Sequence, residues 1–212
     1  MLGVEPSHGG EYPVQPVSQL NLVLLGPPGS GKGTQGERLQ EDLELPYYAT
    51  GDILRQAVRE ETEIGKEAKA YMDKGDLVPD EVIIGVIAER IDSHEAEDGF
   101  ILDGFPRTVA QAEAFDAMLA EKGLKLDAVI EFKVNEGELV DRIVKRAKET
   151  EARGEPVRKD DNPEVFKTRL DAYKNQTAPL SAYYERTGML KTVDGMKPID
   201  DVTVAIKEIL RR

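Results

Sequence analysis

Five short apolar runs, at residues 20–25, 46–49, 99–102, 128–134 and 189–193, alternate with stretches whose apolar residues recur three and four positions apart. Runs of that length predict buried strands, and the intervening periodicity predicts helices packed along one face. The stripes are Gln35, Leu39 and Leu43, then Ala112, Phe115, Met118 and Leu119, then Leu139, Val140, Ile143 and Val144, and finally Val202, Ile206, Ile209 and Leu210. A longer helix opens at Asn162-Pro163-Glu164, with Phe166, Leu170, Tyr173, Thr177, Leu180 and Tyr184 as its stripe. Strands separated by helices predict an α/β fold, a five-stranded parallel sheet wrapped on both faces.

Three segments depart from that rhythm. Between the second and third strands lie three short helical pieces. One starts near Asp52 with Thr50 as candidate N-cap, one carries Ile64, Ala68, Tyr71 and Met72, and one starts at Pro79 with Asp80 and Glu81 in its first turn. So many small helices predict an inserted subdomain at about 49–78 rather than a plain crossover. Residues 147–161 are highly charged, lack large apolar side chains and contain Gly154 and Pro156, which predicts a mobile loop or frayed helix. Residues 1–18 are polar, aperiodic and broken by Pro6, Gly9, Gly10, Pro13 and Pro16, so they read as a flexible extension outside the fold, with His8 solvated.

The first strand ends in Gly26-Pro27-Pro28-Gly29-Ser30-Gly31-Lys32-Gly33-Thr34, and a helical stripe follows at once. Strand, glycine-rich turn and helix start are the parts of a P-loop. Its backbone N–H groups curl around an anion, and the helix N-terminus adds partial positive charge. A lysine at that end of a helix opposes the dipole unless an anion sits there, so Lys32 points to phosphate. Gly33 occupies the place where a magnesium-ligating hydroxyl commonly follows the lysine, and Thr34 comes one residue late. The phosphate chemistry is left open by the loop alone.

Ligands of open parallel sheets bind beyond the carboxyl ends of the strands. Gly26, Thr50, Asp103 and the turn after Val193 all fall at those ends. Asp103 closes an apolar strand, where a carboxylate can hold magnesium directly or through water, and with Gly33 displacing the hydroxyl it is the better metal candidate. Arg107 follows Gly104-Phe105-Pro106, a proline-fixed turn that aims it into the cleft. Arg142 and Arg146 share one ridge of a helix, and Arg146, Arg158 and Arg169 frame the charged segment, where they could close over a polyphosphate. No nucleophilic triad is evident: His94 sits in a polar turn. If the acceptor is itself a phosphate, its oxygen is already ionised near neutral pH and needs no general base, so positioning and charge stabilisation suffice.

Bulk properties narrow the partners. The 212 residues carry 41 acidic against 28 Lys and Arg side chains, a formal charge of −13, which argues against nucleic acid or an anionic membrane surface. There is no cysteine, so disulfides and thiolate metal sites are excluded. No apolar run reaches membrane-spanning length and no leader pattern opens the chain, so a cytoplasmic location is expected.

Several motifs resemble adenylate kinase, in that family's order. They are the loop from Gly26 to Thr34, Thr50-Gly51-Asp52-Ile53-Leu54-Arg55, Asp103-Gly104-Phe105-Pro106-Arg107-Thr108, Arg158-Lys159-Asp160-Asp161 followed by Arg169, and Val193-Asp194-Gly195-Met196-Lys197-Pro198. The displaced Thr34 is itself the family's pattern, and residues 1–18 have no counterpart in it. The resemblance implies a P-loop three-layer sandwich over residues 19–212 and reversible phosphoryl transfer from MgATP to AMP, giving two ADP. By similarity, Gly29, Ser30, Gly31, Lys32, Gly33 and Thr34 wrap the ATP phosphates, with Arg146 and the backbone near Lys197 at the ATP end. AMP lies under Thr50, Arg55, Asp76, Leu77, Val78, Gly104, Phe105, Pro106, Arg107 and Gln111. Arg142, Arg158 and Arg169 clamp phosphates of both substrates. The amide of Gln111 can pair with a donor and an acceptor on adenine, which makes it the residue expected to set base choice. Residues 49–78 correspond to the AMP-binding domain, and the charged segment, about 146–161, to a short lid without zinc. A monomer is implied. A UMP/CMP-type kinase of the same fold and a non-catalytic nucleotide sensor are the alternatives.

Overall fold

A computed structural model describes residues 19–74, 78–157 and 162–210. Five strands, β1 (Leu20–Leu25), β2 (Tyr47–Ala49), β3 (Gly99–Asp103), β4 (Ala128–Lys133) and β5 (Leu190–Asp194), form one sheet in the order β2-β3-β1-β4-β5, and every neighbouring pair is parallel. Parallel strands need crossovers, and helices supply them on both faces. The expected α/β sandwich is present, and all five strands lie within a residue or two of where the apolar runs put them.

Alternation along β1 shows how one strand serves two cores. Val23 and Leu25 join Phe100, Leu102, Val129 and the helices α2 (Thr50–Arg59), α4 (Asp80–Ile91), α5 (Val109–Glu121) and α8 (Pro179–Arg186) on one face. Leu22 and Leu24 join Ile101, Ile130 and Phe132 under α1 (Lys32–Leu43) and α9 (Ile199–Leu210) on the other. Successive side chains of a strand point to opposite faces, so a strand covered on both sides reads as a continuous apolar run. A third, small cluster of Leu139, Ile143, Phe166 and Leu170 ties α6 (Glu136–Ala152) to α7 (Pro163–Ala172).

The chain between β2 and β3 forms α2, α3 (Glu63–Lys74) and α4, which contact one another. Two local expectations change. Thr50 is the first residue of α2 and not its cap: the cap is Ala49, with no side-chain bond, and the Thr50 hydroxyl donates instead to the Asp103 carbonyl at 3.0 Å. Ala49 pairs with Asp103 where the ladder ends, which brings the strand-end carbonyl within reach of the Thr50 hydroxyl. The charged segment, expected as a mobile loop or frayed helix, opens as helix, because α6 continues to Ala152. The long helix after Asn162 is broken. The Asn162 side chain caps α7, accepting from the Glu164 N–H, but residues 173–177 widen into a π-turn before α8 begins at Pro179. Ala178 N–H bonds to the Tyr173 carbonyl, and Pro179 has no N–H to continue the α-helical ladder. Residues 1–18, with His8, lie outside the described residues, as do Asp76, Leu77 and Arg158.

Candidate active site

The P-loop residues leave β1 and enter α1 through two glycines in the left-handed region, Gly29 at φ 79° and Gly31 at φ 94°. Side chains rarely adopt that backbone, so glycine makes the turn possible. Gly31 caps α1 with no side-chain acceptor, which leaves the first amides of the helix for an anion. The Ser30 hydroxyl is buried at this turn and has no hydrogen-bond partner in the protein.

Lys32 is the first residue of α1. Its Nζ donates to the Gly26 carbonyl at 2.8 Å and stands 3.9 Å from Asp103 Oδ1, with 17 % of the side chain exposed. Burial holds its ammonium below the ordinary lysine range; Asp103 pulls it back up, while Arg107 and then Arg169 push it further down. Three cationic groups therefore share one small region of an acidic protein, and a bound polyanion would relieve their mutual repulsion.

Asp103 ends β3 where the sequence puts it. Its Oδ2 accepts from the Tyr47 hydroxyl at 2.6 Å, which leaves Oδ1 toward Lys32. Magnesium takes one or two protein carboxylates and fills its other positions from phosphates and water, so a hard oxygen donor beside the phosphate cradle fits this ion. Among the described residues no group of three or more His, Asp or Glu side chains converges as a dedicated metal cage.

Arg107 follows a cis Phe105–Pro106 bond, and its Nε donates to the Gly104 carbonyl at 3.0 Å. With Lys32, Arg169, Gly104 and Pro106 it lines a hollow of about 170 Å³ beside the loop. Tyr173, Gln176 and Thr177 from the π-turn also line that hollow. Sequence reading placed Tyr173 and Thr177 on a helix stripe, and the only sign of their re-aiming was Pro179.

A second hollow of about 470 Å³ lies on the other side of the loop, lined by Ser30, Gly31, Thr34, Arg142, Gly195 and Lys197 among others. Arg142 Nη2 donates to the Gly195 carbonyl at 3.0 Å, so this arginine is set with Lys197 rather than with Lys32 and Arg107. Arg146, one turn further along α6, lines neither hollow. Arg55 lies exposed on α2, paired with Asp52. Gln111 is buried in the first turn of α5, and both ends of its amide are engaged by protein groups, Oε1 by the Arg107 N–H and Nε2 by Asp80. Val78 is half-buried, ahead of Pro79 and α4.

A family profile described as adenylate kinase matches residues 24–189. Curated proteins named adenylate kinase are similar over nearly the whole chain. That of Methylorubrum populi is 63 % identical over 191 residues, covering 90 % of this chain and 96 % of its own. That of Methylobacterium nodulans is 62 % identical over 192 residues, 91 % and 96 % of the two chains. That of Beijerinckia indica is 60 % identical over 192 residues, 91 % and 100 %. Loop, sheet order and similarity agree, and the chain belongs to the adenylate kinase family.

Proposed function

We propose that the protein transfers the terminal phosphoryl group of MgATP to AMP, reversibly, giving two ADP. The observation that carries this reading is the P-loop standing as the shared wall of two hollows, with Lys32, Arg107 and Arg169 gathered on one side. A phosphoryl acceptor with its own negative charge calls for that cluster, because two polyanions must be brought within reach of each other.

The residues take these roles. The amides of Gly29 to Thr34 hold the ATP phosphates, and Lys32 carries charge to the transferring group. Arg142, Arg146 and the backbone near Lys197 hold the ATP end. Arg107 and Arg169, with Arg158, neutralise the charge spread over the equatorial oxygens in the transition state. Thr50, Arg55, Asp76, Leu77, Val78, Gly104, Phe105, Pro106 and Gln111 receive AMP. Asp103 would hold magnesium through water, and the ion would offset phosphate charge. No protein base is required, since the AMP phosphate supplies an ionised oxygen.

Residues 49–78 form the AMP-binding insertion, and residues 146–161 the lid that excludes water so that ATP is not simply hydrolysed. Residues 1–18 stand outside this machinery. The chain acts as a cytoplasmic monomer without zinc. It has no cysteine, and no helix among the described residues is long and apolar enough to cross a membrane.

Coupled measurement of ADP formation with MgATP and each of AMP, CMP, UMP and GMP tests the reading. AMP is expected to give the highest kcat/KM. Faster phosphorylation of CMP or UMP would make the protein a pyrimidine nucleotide kinase, and no turnover with any acceptor would make it a sensor.

A further inference from the structure

The amide of Gln111 is held in one sense. Its Oε1 accepts from the Arg107 backbone N–H at 2.8 Å, and its Nε2 donates to Asp80 Oδ1 at 2.7 Å. The helix start adds a third constraint, since the Gln111 N–H donates to the capping hydroxyl of Thr108 at 3.2 Å. A backbone N–H can only donate and an ionised carboxylate can only accept. Turning the amide over would set N–H against N–H and oxygen against oxygen, so both contacts would become repulsive. Gln111 is only 8 % exposed, which leaves little water to rescue its amide, whereas Asp80 itself stands exposed at the start of α4.

We propose that Asp80 is a positioning residue for base choice, fixing the orientation in which Gln111 meets the purine. The proposal rests on the reading of Gln111 as the contact to the AMP base. With one N–H and one lone pair committed to Asp80 and Arg107, the amide keeps a second N–H and a second lone pair. Adenine presents an acceptor at N1 beside a donor at its 6-amino group. A 6-oxopurine presents the reverse, a donor at N1 beside an acceptor oxygen. An amide free to turn would serve either base, and an amide held by Asp80 together with the Arg107 N–H serves adenine alone. Discrimination then comes from a repulsive contact as much as from an attractive one. Asp80 opens α4, just beyond the insertion, and Gln111 lies in the first turn of α5, so the lock joins the starts of two core helices.

IMP is the probe, because its base differs from adenine at this edge alone. The kcat/KM ratio of AMP over IMP is measured for the wild type, Asp80→Ala, Asp80→Asn and Gln111→Ala, with the KM for ATP and thermal melting followed alongside. The expected result is a ratio at least tenfold lower in both Asp80 variants, with the absolute kcat/KM for IMP rising and the KM for ATP unmoved. A loss of stability alone would lower both rates together and leave the ratio intact, which would overturn the proposal. A ratio that collapses in Gln111→Ala but holds in Asp80→Ala and Asp80→Asn would overturn it while sparing the Gln111 reading. A ratio that holds in all three would overturn both.

Discussion

The hydroxyl of Tyr47 donates to Asp103 Oδ2 at 2.6 Å across the β2–β3 pair. Tyr47 is in register with Ile101, so its ring reaches diagonally along the sheet to the strand end where the site begins. Burial, and then the Asp103 charge, push its ionisation above the ordinary tyrosine range, so the phenol remains a donor wherever the protein is folded. One oxygen of Asp103 is thereby tied down, and the other is left for the site.

Tyr47→Phe keeps the ring and removes only that bond. Hydrogen bonds to charged groups contribute roughly 1.5–3 kcal/mol, so freeing the carboxylate should raise the magnesium concentration for half-maximal activity several-fold. Magnesium titration of activity, together with direct binding of Mn2+ to the protein–ADP complex, checks this. An unchanged metal dependence would mean that Asp103 does not serve the ion, or serves it without Tyr47.

The same ring is wedged against α1. A Cβ built on Gly36 would fall 2.3 Å from Tyr47 Cε2 and 2.7 Å from Cδ2. The ring cannot swing away without losing Asp103, so Gly36→Ala should cost about 1–3 kcal/mol in urea unfolding, the usual range for overpacking. With Tyr47→Ala in the background the penalty should vanish or reverse, since alanine is favoured over glycine in a helix by about 1 kcal/mol. A penalty that persists there would locate the clash elsewhere.

Much of this was legible in the chain. Apolar runs located the strands, the glycine loop located the phosphates, and the carboxyl ends of the strands brought Gly26, Thr50 and Asp103 together. What stayed hidden depends on which group finds which partner. Tyr47 read as a strand residue and Asp80 as a first-turn acid, because a hydrogen bond between residues 56 or 31 positions apart leaves no periodic trace. Thr50 read as a cap because its type suits one, yet the nearby β3 carbonyl claims its hydroxyl. The π-turn at 173–177 was invisible behind a stripe that kept Phe166 and Leu170 buried before the break and Leu180 and Tyr184 buried after it. Arg142 shared a ridge with Arg146 by spacing, but only the fold reveals the Gly195 carbonyl that turns it toward Lys197.

Lys32 gives a pH signature. Its folded-state pKa lies below 10.5, so between that lowered value and 10.5 the unfolded chain binds more protons than the folded one. This group's contribution to stability therefore rises with pH through that window, and below it the buried charge opposes folding. Bound polyphosphate works in the other direction by favouring the charged ammonium. ATP binding should thus take up a proton at alkaline pH, and affinity should decline as pH climbs toward about 10.5. Calorimetry in buffers of different ionisation enthalpy measures the uptake. Lys32→Arg, charged throughout, should abolish it, and uptake that survives would belong to another group.

The two hollows predict that Arg107 and Arg142 answer to different substrates. Arg107 lines the hollow with Lys32 and Arg169, whereas Arg142 lines the one with Thr34 and Lys197. Loss of a charged hydrogen bond of roughly 1.5–3 kcal/mol corresponds to a tenfold to hundredfold change. Arg142→Ala should therefore raise the KM for ATP by about that factor while moving the KM for AMP less than about twofold. Arg107→Ala should do the reverse. Because its charge also meets the transferring group, it should lower kcat by several orders of magnitude, as should Lys32→Ala, with thermal melting close to wild type. Two-substrate kinetics separate these effects. If both arginine substitutions raise the KM of the same nucleotide, the loop does not divide an ATP side from an AMP side.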